Sequence, residues 1–577
     1  MILTKMFAII LPLICLTGRV SGLNATVTVG DLGTVIGLEE TSTWTGRTIY
    51  AFRGIPYAEA PVGDLRFRPP VSVSSWNGTW NGTEFGVVCP QNSGIGTPLS
   101  GVDEDCLTLN VYVPEVNSED TALPVMIYLH GGTFMSGYAQ LYEPHQLLEE
   151  DVILVVPQFR LGPLGLLCLQ TDEVPGNVQF LDQIMAMQWV QDNIGYFGGD
   201  PDSVTLFGQS SGAASVNLHQ ISPLSTGLFH KVILQSGSAY APWVMDYNPV
   251  QTATRLGAVM GCNQTNTTEL AACFKELTVQ TILDGFATYL ATYSAGGLTE
   301  IGGHRAVIQT AGTQKFLEED PLTLISKGQF SQIPMIAGAT KHDGSFALAE
   351  YYTSYFVPYG FAENTQFLKY NLTSFILSAF GVEDLTGGVG QTLTYAHFNE
   401  DDIGDFLAMV PGIIDICSVF AFKAPIFQML QTNSLYNSSY LYRFGYFGTN
   451  NVLVSAEDLP FETGVGHSDE LFYLFPLSSN LSDTDVTVAK RMVSLWTTFA
   501  TSGVPIADDK TWESMSTPFG PYLIIDEEFY DGTNYLSEYT IARDEGMTAV
   551  DRSAASGIAP PSIIILATTL WSIFIRR

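Results

Sequence analysis

The most informative segment of this chain is Val204-Thr205-Leu206-Phe207-Gly208-Gln209-Ser210-Ser211-Gly212-Ala213-Ala214-Ser215-Val216. It begins as an apolar, β-branched run, passes through Gly-x-Ser-x-Gly and continues into small residues that are compatible with a helix. This order is typical of a nucleophile elbow, in which a serine lies at the tip of a sharp strand-to-helix turn. We expect only hydrogen to fit at Gly208 and Gly212, because side chains there would collide with neighbouring backbone. An ordinary Gly/Ser turn is the alternative, but the flanking strand and helix favour Ser210 as a nucleophile.

Composition limits the class of protein. The chain has 577 residues, long enough for one large α/β domain or several smaller domains. Hydrophobic residues make up 46% and aromatic residues 12%, which is typical of a globular chain with a sizeable core. The 24 Lys and Arg residues against 58 Asp and Glu residues give a net charge of −34. Such a surface repels phosphate backbones, so we expect no nucleic-acid partner.

The N-terminus, residues 1–22, has the pattern of a secretory signal peptide. Lys5 is followed by the apolar run Met6–Leu16, and Val20-Ser21-Gly22 supplies small residues for cleavage. The run is too short to span a bilayer, which disfavours a retained anchor. We therefore predict a protein of the secretory pathway that is extracellular or on the outer face of the plasma membrane.

A secreted chain is open to glycosylation and disulfide formation. Eight Asn-x-Ser/Thr sequons are candidate glycosylation sites, beginning at Asn24, Asn77, Asn81, Asn263, Asn266, Asn371, Asn437 and Asn480. Two cysteine pairs each bracket a short polar stretch, and we predict a local disulfide in each: Cys89 with Cys106, and Cys262 with Cys273. Each would stabilise the fold by about 3 kcal/mol in the chain-entropy model. Cys168 and Cys417 lie in apolar runs and are expected to be free and buried, although a bond between them stays open.

The middle of the chain alternates strand-like and helix-like segments. Val125–Leu129 and Val152–Val156 are short apolar runs of the kind buried in parallel sheets. Asn177–Asn193 has apolar residues at helical spacing. The alternation predicts βαβ units with right-handed crossovers, and no strong boundary divides the chain. We therefore expect residues 23–550 to form a single α/β domain with a mostly parallel central sheet flanked by helices.

The C-terminus, residues 551–577, has the order of a glycolipid-anchor signal. Small residues begin at Ser553, a short spacer follows, and Ile563–Ile575 is an apolar tail. Thirteen apolar residues fall short of the ~20 that a spanning helix needs. The terminal Arg576-Arg577 and the spacer prolines favour the alternative, a tilted transmembrane helix from Ile558. We favour the lipid anchor.

A nucleophilic serine needs a base, and the base needs an acid to orient it. In chains with this elbow the order is Ser, then Asp or Glu, then His. His467 lies in the glycine-rich stretch Gly464–Glu470 and is the candidate base, although a solvated surface histidine fits its position equally well. The candidate acid is Asp343, which follows the strand-like run Ile333–Ala337. Its neighbour His342 is a rival base, but adjacent residues at a strand end point to opposite sides, so we expect His342 to be exposed.

The oxyanion of an acyl-transfer reaction needs backbone N–H donors. One is expected after the nucleophile, and others in a loop that follows an earlier strand. His130-Gly131-Gly132-Thr133-Phe134 directly follows Val125–Leu129 and is the natural source. Each such donor is typically worth about 3–4 kcal/mol in the transition state.

The chain resembles type-B carboxylesterases, of the cholinesterase and carboxylesterase superfamily of α/β-hydrolases, from about Val29 to Tyr522. The motifs that carry the resemblance are Phe52-Arg53-Gly54-Ile55-Pro56-Tyr57-Ala58, Leu65-Arg66-Phe67, Glu104-Asp105-Cys106-Leu107, Arg160-Leu161-Gly162-Pro163-Leu164-Gly165, Pro175-Gly176-Asn177, Trp189-Val190-Gln191-Asp192-Asn193-Ile194 and Phe197-Gly198-Gly199-Asp200-Pro201. The resemblance implies Ser210 as nucleophile, Asp343 as acid and His467 as general base. It further implies oxyanion donors at Gly132, Thr133 and Ser211, a serine that supports the acid at Ser236, an aromatic near the acyl pocket at Trp243, and the same two disulfides.

Four positions depart from the family's pattern. Asp343 stands where the family usually has Glu, and Gln209 replaces the usual Glu before the nucleophile. With Gln209 before the nucleophile, the motif resembles that of juvenile-hormone esterases, although they carry Ala where Ser211 stands. Thr133 replaces a glycine or alanine and adds bulk beside the acyl carbon. The choline-stacking tryptophan of cholinesterases is also missing, because 91–105 contains no aromatic residue.

We therefore predict a secreted or surface-tethered serine carboxylesterase that acts on small-molecule or lipid-like esters and needs no metal or cofactor. The missing tryptophan argues against an acetylcholinesterase. The other alternative is a catalytically weak or silent adhesion or binding protein on the same fold, as the neuroligins are. Silent relatives typically lack the serine or the histidine, and this chain keeps both Ser210 and His467.

Overall fold

A computed structural model describes residues 24–76, 78–92, 101–116, 122–293, 302–452, 459–508 and 510–546. The predicted signal peptide and the predicted anchor segment lie outside the described residues.

Thirteen strands form one large sheet, in the order β1-β2-β3-β5-β7-β6-β8-β9-β10-β11-β14-β15 with β4 beside β2, and β12 and β13 form a separate hairpin. The strands are β1 Asn24–Val29, β2 Gly33–Thr41, β3 Thr48–Pro56, β4 Thr79–Asn81, β5 Thr108–Pro114, β6 Leu123–Leu129, β7 Ile153–Pro157, β8 Gly199–Gln209, β9 Lys231–Gln235, β10 Met335–Thr340, β11 Ser439–Phe444, β12 Ile506–Ala507, β13 Lys510–Thr511, β14 Tyr522–Ile525 and β15 Phe529–Gly532.

The centre of the sheet, from β7 through β6, β8, β9, β10 and β11 to β14, is parallel throughout. Antiparallel pairs lie toward its two edges. The carboxyl ends of parallel strands meet at one edge of a sheet, where α/β proteins place their ligands. The predicted fold class, a mostly parallel α/β-hydrolase sheet in a single large domain, is confirmed.

Helices connect and cover the strands. The α-helices are α1 Gly162–Leu166, α2 Val178–Asn193, α3 Ser211–Ile221, α4 Pro249–Val259, α5 Thr267–Glu276, α6 Val279–Tyr293, α7 Pro321–Ser326, α8 Ser345–Tyr351, α9 Thr365–Tyr370, α10 Leu372–Ala379, α11 Gly388–His397, α12 Phe406–Ser418, α13 Ala424–Asn433, α14 Asp483–Ser502 and α15 Ile541–Glu545. Two π-helical segments, Tyr352–Phe356 and Val419–Lys423, continue α8 and join α12 to α13. The run Phe406–Asn433 is long and apolar enough to cross a membrane, but it is largely buried inside the protein, as core helices are.

Both faces of the sheet are buried, which explains why its central strands read as continuous apolar runs. Val125 and Ile127 of β6 belong to the core on one face, together with Phe180 of α2. Met126 and Tyr128 alternate with them and belong to the core on the other face, together with residues of α14. Helices on both faces therefore pack against β6, whose carboxyl end leads into the His130–Phe134 loop.

The structure contains the two predicted disulfides, Cys89–Cys106 and Cys262–Cys273. Cys168 and Cys417 are both free and buried, so the bond between them that the sequence left open is not formed.

Candidate active site

The turn between β8 and α3 holds Ser210 in a strained backbone conformation, with φ 58° and ψ −126°. Few residues other than glycine adopt positive φ, so the surrounding contacts must impose it. A Cβ atom at Gly212 would lie 2.0 Å from the Leu129 carbonyl oxygen, and one at Gly208 would lie 2.6 Å from the same atom. The Ser210 N–H also donates to the Gln235 carbonyl oxygen at 2.7 Å. Only glycine fits at both positions, as the sequence predicted.

The candidate acid lies just beyond β10 and is fully buried. Asp343 Oδ1 is 2.6 Å from His467 Nδ1. Asp343 Oδ2 accepts hydrogen bonds from Ser236 Oγ at 2.7 Å and from the Thr340 N–H at 3.0 Å. An ionised carboxylate accepts but does not donate, so the imidazole presents its N–H at Nδ1. His467 Nε2 is then the basic nitrogen.

That basic nitrogen contacts the residue immediately before the elbow serine. Gln209 Nε2 lies 3.2 Å from His467 Nε2, so the amide donates to the imidazole lone pair. Among the described residues, Ser210 Oγ makes no hydrogen bond to His467. Hydrogen bonds between catalytic groups are often long without substrate and shorten in the Michaelis complex. The structure thus brings Ser210, Asp343 and His467 to one end of the sheet, with Gln209 on the base.

Aromatic side chains surround the imidazole. The ring of Phe422 stacks on His467 with centroids 4.5 Å apart, and Phe346 lies at 5.3 Å. Phe422 belongs to the π-helical segment, whose Ala421 carbonyl accepts a hydrogen bond from Trp243 Nε1 at 2.9 Å. Trp243 therefore lies behind the aromatic residue that contacts the base. Within these surroundings only 5% of the His467 surface is accessible, and removal from water strengthens electrostatic interactions.

Sequence reasoning missed both phenylalanines. Phe346 stands three residues after Asp343, and that short spacing was a usable signal. Phe422 is far away in the chain and reaches the site only through the packing of the π-helical segment.

The loop after β6 has the features of an oxyanion hole. Gly132 has φ 115° and Thr133 has φ 56°. Within the described residues, the N–H groups of Gly132 and Thr133 have no hydrogen-bond acceptor, so both are available to a ligand. Ser211 opens α3, and the first N–H groups of a helix have no acceptor within the helix. These donors match the chemical requirement of a tetrahedral oxyanion.

The expectation that His342 is exposed is wrong: it is buried, with 4% of its surface accessible. Its ring nitrogen Nδ1 accepts from the Val465 backbone N–H at 3.0 Å, and the backbone N–H of His342 donates to the Val465 carbonyl oxygen at 2.9 Å. Burial, together with the positive charges of Lys423 and Lys341, holds the pKa of His342 well below its usual value. The strand-end argument failed because the loop that carries His467 covers this side of the strand, so the neutral His342 joins the turn of Asp343 to that loop.

A second carboxyl group lies near the acid. Glu470 is fully buried three residues after His467, and its Oε1 accepts from Gln235 Nε2 at 3.3 Å. Burial and, secondarily, the negative charge of Asp343 raise the pKa of Glu470 to about 8. Glu470 is therefore neutral at pH 7 and adds no charge beside the acid. Sequence reasoning quoted Glu470 within the histidine motif but gave it no role.

Among the described residues, one group has the spacing of metal ligands: Glu40, Glu143 and His145. Arg53 donates to both carboxylates at 2.9 Å, so one guanidinium already offsets part of their negative charge.

Sequence comparisons identify the family of this chain. The profile of the Carboxylesterase family matches residues 24–540. The chain belongs to the carboxylesterase family. Juvenile hormone esterase of Tribolium castaneum is 34% identical over 508 residues, which cover 84% of this chain and 85% of that protein. Esterase FE4 of Myzus persicae is 32% identical over 483 residues, which cover 80% and 82%. These relatives and the family identify a carboxylic ester hydrolase.

Glutactin of Drosophila melanogaster is also similar. It is 28% identical over 524 residues, which cover 87% of this chain and 49% of glutactin.

Proposed function

We propose that this protein is a secreted serine carboxylesterase in which Ser210 is the nucleophile, His467 the general base and Asp343 the acid. The observation that carries the proposal is the 2.6 Å contact between Asp343 Oδ1 and His467 Nδ1. The loop that carries His467 also reaches the elbow, where the imidazole contacts Gln209. With its N–H at Nδ1, the imidazole offers a lone pair at Nε2, which lies 3.2 Å from Nε2 of Gln209, the residue that precedes Ser210. A base in this tautomer is what a serine nucleophile requires.

The proposed reaction proceeds in two halves. Ser210 Oγ attacks the ester carbonyl carbon while His467 Nε2 takes its proton, and Asp343 stabilises the imidazolium that forms. The N–H groups of Gly132, Thr133 and Ser211 stabilise the tetrahedral oxyanion. Collapse of this intermediate breaks the ester C–O bond, and the imidazolium donates its proton to the leaving alcohol. Water then attacks the acyl-enzyme with the same base, releasing the acid and restoring Ser210.

Gln209 gives the base a neutral partner in the resting enzyme. Its amide hydrogen bond to Nε2 must open before Nε2 accepts the proton of Ser210. Because the amide carries no charge, this exchange does not separate an ion pair. Gln209 is therefore a supporting residue that holds the imidazole between turnovers.

The substrate is an ester whose acyl part contacts aromatic side chains. Trp243 packs against Phe134 of the oxyanion loop, with ring centroids 6.1 Å apart, and against Phe422 at 6.3 Å. Phe422 in turn stacks on His467, so this aromatic cluster reaches the base and favours an apolar acyl group. Small-molecule and lipid-like esters both fit this chemistry.

The proposed location is outside the cell. The residues that begin five sequons are exposed, namely Asn81, Asn263, Asn266, Asn371 and Asn480, while Asn437 is half-buried. Asn77 and the side chain of Asn24 lie outside the described residues. Exposed sequons and two disulfides are what the secretory pathway would produce, and one similar protein is named venom carboxylesterase-6, of Apis mellifera.

The proposed glycolipid anchor in residues 551–577 has a direct test. A phosphatidylinositol-specific phospholipase should release the protein from intact cells into the medium. Retention on the cells, together with resistance to alkaline extraction, would favour the transmembrane alternative.

Ester hydrolysis is tested on the purified protein with a short-chain p-nitrophenyl ester. Ser210→Ala should abolish turnover with an unchanged melting temperature. The matched control is Ser215→Ala, which removes a buried hydroxyl of α3 that donates to the Ser211 carbonyl, and which should retain activity. Equal turnover by Ser210→Ala and the wild type would refute the assignment. A wild type without turnover would favour the silent alternative.

A further inference from the structure

The loop after β6, residues 130–134, is joined to the elbow by one side chain. The Phe134 N–H donates to Ser211 Oγ at 3.1 Å, and the bond is buried. Ser211 thus holds the peptide group between Thr133 and Phe134 in this oxyanion loop.

The loop needs such a restraint because of its backbone conformation. Thr133 has φ 56° and Phe134 has φ 60°, so two consecutive residues with side chains lie in the left-handed region. This region is disfavoured for L-residues, and most strongly for β-branched ones such as threonine. A glycine at 133 would adopt this conformation without strain. The oxyanion loop therefore carries a strained, β-branched residue at position 133.

Other contacts hold the loop only in part. Thr133 Oγ1 and the Met135 N–H both bond to the Gly132 carbonyl, at 2.7 and 3.0 Å, so these bonds stay within the loop. The Gly162 N–H donates to the Phe134 carbonyl at 2.8 Å and ties the loop to α1. Ser211 Oγ ties it to the elbow itself. The Ser211 N–H is itself one of the proposed oxyanion donors. Ser211 therefore sets the position of the loop donors, the N–H groups of Gly132 and Thr133, relative to its own N–H.

We propose that Ser211 is a positioning residue, whose hydroxyl holds the oxyanion loop in the left-handed conformation that Thr133 disfavours. The inference rests on the proposed function, because it assigns to these donors a role in ester hydrolysis. The two side chains are coupled: Ser211 makes Thr133 tolerable, and a glycine at 133 would make the Ser211 hydroxyl dispensable.

A double-mutant cycle tests the coupling. Ser211→Ala in the full-length protein should lower kcat by about 10- to 100-fold, since misplaced donors lose transition-state stabilisation, with KM nearly unchanged. Affinity for a trifluoromethyl ketone, which forms a hemiketal oxyanion with the serine, should fall in proportion to kcat/KM. In the Thr133→Gly background, the same Ser211→Ala change should lower kcat by only about 2-fold or less, because glycine adopts the loop conformation without strain. Ser211→Cys, whose sulfur is a weak acceptor, should give an intermediate kcat.

The outcomes separate this inference from the proposed function. If Ser210→Ala is inactive and the wild type active, but Ser211→Ala retains full kcat, only the inference is overturned. It is also overturned if Ser211→Ala costs the same factor with Thr133 and with Gly at 133. Ser215→Ala, which disturbs the same helix but not the loop, should leave both kcat and ketone affinity unchanged. A wild type that hydrolyses no ester and binds no ketone would overturn both claims together.

Discussion

Replacing Asp343 by Asn is the sharpest perturbation of the proposed base. The two donors that face Oδ2, Ser236 Oγ–H and the Thr340 N–H, decide how the new amide is oriented. Thr340 can only donate, so the amide oxygen must occupy the Oδ2 position and the NH₂ group the Oδ1 position. The opposite orientation would leave a buried donor unpaired, at a cost of about 1–3 kcal/mol. The NH₂ group then faces His467 Nδ1 and forces the imidazole to carry its proton on Nε2.

An imidazole protonated at Nε2 cannot accept the proton of Ser210. We therefore expect Asp343→Asn to lower kcat by about 10⁴-fold, which corresponds to roughly 5.5 kcal/mol. The assay is steady-state hydrolysis of a p-nitrophenyl ester, with thermal unfolding measured on the same samples. Ser236→Ala is the control, because it removes one donor to Oδ2 without reversing the tautomer of His467. It should lower kcat by about 10-fold or less. An Asn variant with kcat within about 10-fold of the wild type would refute the reasoning about the tautomer.

Three further predictions concern stability. Glu470 keeps its proton in the folded state up to about pH 8, whereas the unfolded chain loses it near 4.5, so the free energy of unfolding should fall as pH rises between these values. In denaturant titrations Glu470→Gln should remove this contribution, whose slope is at most about 1.4 kcal/mol per pH unit; an unchanged pH dependence would contradict it. Gly212→Ala should lower the melting temperature and abolish turnover, because its Cβ would lie 2.0 Å from the Leu129 carbonyl oxygen; a wild-type melting curve would argue against this packing. Arg160→Met should lower the free energy of unfolding by about 3–5 kcal/mol, because it leaves the buried Asp182 without its 2.6 Å partner. Adding Asp182→Leu should recover most of this loss, as measured by urea unfolding. A double variant no more stable than Arg160→Met would overturn this account.

The sequence was sufficient where chemistry depends on local order. The strand, the two glycines and the small residues around Ser210 predicted the elbow, because a sharp strand-to-helix turn excludes side chains at fixed neighbours of the nucleophile. The parallel sheet followed from continuous apolar runs that need burial on both faces. Boundaries were less accurate, since the strand expected at Ile333–Ala337 is Met335–Thr340 in the structure.

The sequence was insufficient where a contact depends on tertiary packing. His342 was expected to be exposed because its own strand says nothing about the loop that covers it. Phe422 reaches the base from a π-helical segment whose extra residue per turn has no apolar periodicity to reveal it. The hydrogen bond between Phe134 and Ser211 joins the oxyanion loop to the start of α3, 77 residues away in the chain, and no local pattern predicts which hydroxyl meets which N–H.

The most direct test of the account is to find which atom a mechanism-based probe modifies. A fluorophosphonate reacts with an activated serine, and mass spectrometry of the digested protein locates the adduct. We expect a single adduct on Ser210 in the wild type, strongly slowed labelling in His467→Ala, and none in Ser210→Ala. Labelling of Ser210→Ala at the wild-type rate, or an adduct on a different serine, would contradict the claim that this hydroxyl and this imidazole work together.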